Sequence, residues 1–148
     1  MNNVIPYQGV DDITFNMSFN EVKDLLRRQG LKVHTEHWPN KGCSPEVAWD
    51  IIRLGDDISI FFAKNRMFKI YFENNFDGSL SNGIALGMPI EDAEAIDPTI
   101  KYDDWEEVYT SKSGYWLEDD VESGRIITIT IFIKELEDDE VFFKYKWC

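Results

Sequence analysis

Ile13–Val22 reads ITFNMSFNEV, and Ile84–Ala93 reads IALGMPIEDA. Set one above the other, the two stretches share isoleucine at the first position and methionine at the fifth. Phe15 then stands over Leu86, Phe19 over Ile90, Glu21 over Asp92 and Val22 over Ala93. A pattern that returns within one chain marks a repeated structural unit. After each methionine comes the chemistry of a helix start. Ser18 with Glu21 three residues on makes a capping box, and Pro89 followed by Glu91 and Asp92 suits a first helical turn. The first helix is expected over about Phe19–Gln29. Phe19, Val22, Leu25 and Leu26 form its apolar stripe, and Gly30 stops it. The second is expected over about Ile90–Ile96, stopped by Asp97-Pro98.

Downstream, both copies continue as apolar runs divided by polar turns. The first reads DIIRL, GDD, ISIFFA, KNR, MFKIYF; the second reads EEVYT, SKSG, YWLED, DVESGR, IITITIF. Runs rich in Ile, Phe, Tyr and Thr, bounded by Gly, Asp, Ser and Asn, are strands and turns. Ile127, Ile129, Ile131 and Ile133 alternate with Thr128, Thr130 and Phe132, which gives one fully apolar sheet face. The expected fold is therefore α+β: two tandem halves, each a helix plus a three-stranded antiparallel meander, forming a curved sheet with the helices on one face. Residues 1–74 make the first half, 75–82 the linker and 83–148 the second half, together a single compact unit. Leu31–Val47 reads as a loop with a short helix toward its end, and the tail from Glu135 reads as a last strand.

The half-repeat resembles the SmpA/OmlA-type module of outer-membrane assembly lipoproteins and the tandem modules of β-lactamase inhibitor proteins. The matching residues are Ile13, Phe15, Met17, Ser18, Glu21 and Val22, then Ile84, Leu86, Gly87, Met88, Asp92 and Ala93. The start, MNNVIPYQGVDD, has neither the basic and apolar regions of a signal peptide nor a lipobox cysteine, and the disulfides of the secreted inhibitor have no counterpart. IPYQGVDDITFNMSFNEV and GYWLEDDVESGRIITITIFIKEL resemble the immunity proteins of bacterial contact-dependent inhibition and other polymorphic toxin systems. That resemblance implies a cytoplasmic protein that binds and blocks one cognate toxin, with no catalytic activity of its own.

Charge narrows the partner. Asp and Glu number 28 against 15 Lys and Arg, a net charge of −13. Such a balance repels the phosphate backbone and anionic membranes, and favours basic proteins. Aromatic residues make up 14% of the chain, too many for a disordered polypeptide. The longest apolar run, Ile126–Ile133, is far short of a membrane span. Cys43 and Cys148 suit a reducing compartment, and whether they pair is open.

No constellation for chemistry stands out. His34, Glu36, His37 and Cys43 could suggest zinc, but no fourth ligand completes a tetrahedral set. Asp119, Asp120, Glu122 and Gly124 lack the spacing of a calcium loop. There is no nucleophile elbow and no phosphate-binding glycine loop. Neither cofactor nor metal is expected. What remains is KYDDWEEVYTSKSGYWLEDD, Lys101–Asp120, where acids surround aromatics. Trp and Tyr within a polar rim are the composition of a binding hot spot. The candidate partner-binding residues are Asp103, Asp104, Trp105, Glu106, Glu107, Tyr109, Glu118, Asp119, Asp120 and Glu122. Trp105 and Tyr109 are expected to be exposed and Trp116 to lie in the sheet core. The expected partner is a basic toxin, such as a nuclease, whose active or functional surface is occluded. A non-catalytic scaffold module of the same architecture is the alternative, and a small enzyme or ligand-binding protein a third. The chain is expected to be a monomer or, through an unpaired edge strand, a weak dimer.

Overall fold

A computed structural model of the chain describes residues 2–39, 47–138 and 140. In chain order the elements are β1 (Asn3–Ile5), β2 (Gly9–Val10), β3 (Ile13–Thr14), α1 (Phe19–Arg28), β4 (His34–Trp38), β5 (Trp49–Leu54), β6 (Ile58–Ala63) and β7 (Arg66–Glu73). There follow β8 (Ser79–Leu80), α2 (Ile90–Ile96), β9 (Lys101–Asp103), β10 (Val108–Ser111), β11 (Tyr115–Asp119) and β12 (Ile126–Phe132), then one 3₁₀ turn at Lys134–Glu137. Eight strands form one sheet in the order β4-β5-β6-β7-β12-β11-β10-β9. Every pairing in it is antiparallel. A second, four-stranded sheet has the order β3-β2-β1-β8.

This corrects the expectation of two halves of one helix and three strands in an α+β fold. The molecule is mostly β-sheet with two α-helices, and each half places four strands in the large sheet. The additional strands were hidden for physical reasons. Every residue of β4, HTEHW, is exposed or half-buried because the strand lies at the edge, so it shows no apolar alternation. β9 has three residues, and β2, β3 and β8 have two each, too few to show a period. β8 falls within residues 75–82, the stretch read as a linker. The tail strand expected in residues 141–148 lies outside the described residues, as do Cys43 and Cys148.

The strand order is a palindrome, with β7 and β12 joined at its centre. Cross-strand register then lays the core out in rows. Ile52, Ile60, Ile70, Ile131 and Tyr115 stand side by side across five strands. Next to them run Leu54, Ile58, Phe72, Ile129 and Leu117. Most of these are fully buried, and each such Ile or Phe contributes roughly 1.5–3 kcal/mol through burial. Both helices cover this face. Phe19 at the start of α1 packs edge-on against Phe62, and Asp97 at the end of α2 bonds to Tyr115. A bulge between Glu118 and Asp119 shifts the phase of β12, so Ile126 is buried and Ile127 turns outward. Ile127 therefore does not join the apolar row that its alternation predicts.

The opposite face is mixed. Arg53, Ser59, Tyr71, Thr130, Trp116 and Thr110 form one of its rows, and Glu73, Thr128 and Glu118 the next. Trp116 packs here against Phe132 and is half-buried. No helix of the described residues is long and apolar enough to cross a membrane.

Candidate partner-binding rim

Consecutive antiparallel strands return their turns alternately to the two ends of a sheet. The β9–β10 and β11–β12 turns therefore lie at the same end, and the β5–β6 turn joins them there. This topology brings the acids of Asp103–Glu107, Glu118–Glu122 and Gly55–Asp57 to one rim.

In the β9–β10 turn, Asp103 does the folding. Its Oδ1 accepts the backbone N–H groups of Trp105 at 2.9 Å and Glu106 at 3.1 Å, and its carbonyl accepts that of Glu107 at 2.8 Å. Glu107 closes the turn in the left-handed region, at φ 57°. An aspartate that satisfies a turn's orphan amides is common in such loops. The result is that Trp105 projects from the tip with 90% of its surface exposed. Asp104, Glu106 and Glu107 are exposed around it.

The β11–β12 turn is built in the same way by Asp120. Its carboxylate accepts the Glu122 N–H at 3.1 Å and the Ser123 hydroxyl at 3.1 Å. Glu122 and Val121 are left exposed at the tip, Val121 to 93%.

The remaining candidates divide between the faces. Glu118 lies on the mixed face, paired with Thr128. Tyr109 lies on the helix-covered face, edge-on to Tyr102 at 5.0 Å. Burial raises the Tyr109 pKa, and the nearby charges of Asp119, Glu94 and Glu91 raise it further. Tyr109 is half-buried and Tyr102 is 51% exposed, so Tyr102 is the more accessible of the pair. Sequence reasoning missed Tyr102, Glu91 and Glu94, and also Asp56 and Asp57 from the first half. An acidic residue at each of several turns was the available signal, but only topology shows that those turns share an end.

Ion pairs among the described residues lie elsewhere, Arg53 with Glu36 and Arg66 with Glu135, and the rings of His34 and His37 stand beside Glu36 and Asp50. None engages a rim carboxylate. His34 and His37, three apart on β4, point to opposite faces, as strand geometry requires. His37 Nδ1 is 2.7 Å from Asp50 Oδ1. Among the described residues no three His, Cys, Asp or Glu side chains stand where one metal ion could hold them.

The most buried acid among the described residues is Asp97, 7% exposed at the end of α2. Its Oδ2 accepts the hydroxyls of Ser111 and Tyr115, each at 2.5 Å, and its Oδ1 accepts the Thr99 N–H at 3.0 Å and hydroxyl at 2.6 Å. Burial pushes the carboxyl up, but the bonds from Ser111, Thr99 and Tyr115 outweigh it and hold the pKa at about 2. With four donors at its two oxygens, the carboxylate has no lone pair aimed at a substrate proton. This is a structural clasp, not an acid–base centre.

A cleft of about 790 Å³ opens at the other end of the sheet, lined by Tyr7, Met17, Asn65, Arg66, Lys134 and Glu135 among others. Tyr7 spans it, donating to Glu137 Oε2 at 2.7 Å and packing on Phe132. Burial raises the Tyr7 pKa and Glu137 raises it further, so the phenol stays protonated. Ser18 and Glu21 also line the cleft, where they are engaged in capping α1.

Compared with protein-family models, with curated proteins and with solved structures, the chain matches none.

Proposed function

We propose that this protein is a cytoplasmic immunity protein of a bacterial polymorphic toxin system. It binds one basic toxin, such as a nuclease, and neutralises it by covering the toxin's active or functional surface. The observation that carries the reading is Trp105: a tryptophan with 90% of its surface in solvent, ringed by Asp103, Asp104, Glu106 and Glu107 and flanked by the Asp120 turn. A large aromatic so exposed has an unfavourable contact with water to relieve, and aromatic anchors within polar rims carry most of the energy at protein interfaces. The acids around it select a cationic surface and speed encounter with it. A nuclease presents such a surface, because its own substrate is a polyanion.

The test is co-expression with the product of the adjacent gene, followed by binding of the two purified proteins. The expected result is rescue of growth and a complex whose association rate falls about tenfold or more between low and high salt. Trp105→Ala is expected to weaken it by roughly 2–4 kcal/mol. A neighbour that is harmless to cells and does not bind would overturn the reading.

A further inference from the structure

Strand β9 ends the large sheet, so one of its two edges has no neighbouring strand among the described residues. Hydrogen bonds around it fix which backbone groups face outward. The Lys101 carbonyl accepts the Thr110 hydroxyl at 3.4 Å, and the Asp103 carbonyl accepts the Glu107 N–H at 2.8 Å. Both oxygens therefore turn inward, toward β10 and its turn. The Ser111 carbonyl accepts the Gly114 N–H, so Ser111, and with it Tyr109 two residues back, turns its peptide groups toward β11. Backbone groups alternate sides along an antiparallel strand. The N–H and C=O of Tyr102 therefore point out of the sheet's edge.

This edge is complementary to itself. A second copy of β9, laid antiparallel and centred on Tyr102, sets tyrosine opposite tyrosine. The two residues then exchange both N–H···O=C bonds, with Cα atoms about 5.5 Å apart. Lys101 falls opposite the second copy's Asp103, and Asp103 opposite its Lys101, at the closer spacing of about 4.5 Å where side chains meet. Lys101 is exposed and forms no ion pair with a described residue. Asp103 holds the turn amides with Oδ1, which leaves Oδ2 toward the lysine. On the other face the Tyr102 ring, 51% exposed and edge-on to Tyr109, meets its counterpart across the twofold axis.

A net charge of −13 on each copy opposes association in general. The antiparallel arrangement answers this, because it sends the two Trp105 turns, and the acids around them, to opposite ends of the joined sheet. β4, the other edge, has no such match: centred on Glu36, it would set Glu36 against Glu36 and His34 against Trp38.

We infer that β9 is a homodimer interface, through which two copies join edge to edge about a twofold axis at Tyr102 into one continuous antiparallel sheet. The inference stands apart from the reading of a toxin partner and leaves both Trp105 turns open. A three-residue edge buries far less than the roughly 1,600 Å² of a standard interface, so the dissociation constant is expected on the order of 0.1 mM.

The measurement is a concentration series of the full chain, from about 10 μM to about 2 mM, by sedimentation equilibrium and amide NMR. The mass should rise from 17.3 kDa toward twice that value and no further. The Tyr102 amide should move most, and those of His34–Trp38 should stay in place. Lys101→Glu sets an acid opposite each Asp103 and should weaken association tenfold or more at an unchanged melting temperature. Asp103→Asn keeps the Oδ1 acceptor of the turn and should weaken it about threefold. Tyr102→Pro removes the ring and an N–H that no group of the chain accepts, and should abolish the dimer. If that variant does not fold, Lys101→Glu decides. A chain that stays monomeric throughout, a dimer indifferent to Lys101→Glu, or shifts at β4 in place of β9 would overturn the inference. Masses beyond twice that of the monomer would do the same, since they require head-to-tail contacts. A dimer that binds no basic protein would count against the toxin reading alone, and a monomer that binds one would count against the dimer alone.

Discussion

Helix α1 is fastened where it begins, and helix α2 where it ends. In α1 the Ser18 hydroxyl accepts the Glu21 N–H at 3.2 Å and the Glu21 carboxylate accepts the Ser18 N–H at 3.1 Å. In α2 the N-cap is Pro89, which offers no side-chain bond, and the helix has seven residues against ten in α1. Its hold comes from Asp97, whose bonds to Ser111 and Tyr115 pin the end of the helix to β10 and β11. Two copies of one plan keep a helix on the sheet by unrelated polar devices, one exposed and local, the other buried and assembled from distant residues. Their energies should differ accordingly, because a buried network leaves every member unsatisfied when one is removed.

Asp97→Ala should have the largest effect. It strips the acceptor from three hydroxyls in a buried site and is expected to cost roughly 3–5 kcal/mol, read as the shift in urea midpoint at constant m. The comparison also has a pH signature. The Asp97 pKa is about 2 in the folded protein against 3.8 for an unperturbed aspartate. A lowered carboxyl contributes stability that is complete above the unfolded value and disappears as pH falls through the folded one. Acid should therefore erode on the order of 2 kcal/mol between about pH 4 and pH 2. Asp97→Asn should flatten that part of the profile, and an unchanged slope would show that other carboxylates set it.

Tyr115→Phe comes next, at about 1–2 kcal/mol. It removes one donor, while Ser111 and Thr99 still serve the carboxylate. Burial and Asp97 raise the Tyr115 pKa to about 12, so the native phenol keeps its proton where the unfolded one loses it. Stability from this group is lost as pH rises from about 10 toward 12, and the phenylalanine variant should not show that loss. Ser18→Ala should cost about 1 kcal/mol, the usual value of an N-cap. If it costs as much as Asp97→Ala, the contrast between the two helices is wrong. Trp105→Ala should leave the unfolding midpoint within about 0.5 kcal/mol of the parent. A large loss would mean that the indole packs in solution and would remove the basis of the proposed interface.

How much of this could be read beforehand follows from what each feature depends on. Strands β5, β6, β7, β11 and β12 were visible because their apolar, β-branched residues sit between Gly, Asp and Asn turns. The starts of both helices were visible because capping is local chemistry. β4 was not, since an edge strand of polar residues looks like a loop. Asp97 was legible as a helix stop, but its partners lie 14 and 18 residues away and reach it only through the fold. Trp105 and its acids stood out by composition.

The palindromic strand order also governs how the chain can assemble as it leaves the ribosome. Of the large sheet, β4 to β7 emerge first and can form a meander by themselves, since each pairs with its neighbour in sequence. β7, whose core-facing side carries Ile70 and Phe72, is then a temporary sheet edge. Its permanent neighbour β12 is the last of the described strands to be made, and joining the two closes the longest loop among the described strands of the sheet, which makes it the slowest pairing to form. Until then the nascent first half displays an apolar, unpaired strand, the kind of surface on which chains associate wrongly. The seam that makes one sheet of two halves is thus also the point at which a stalled or truncated copy would aggregate.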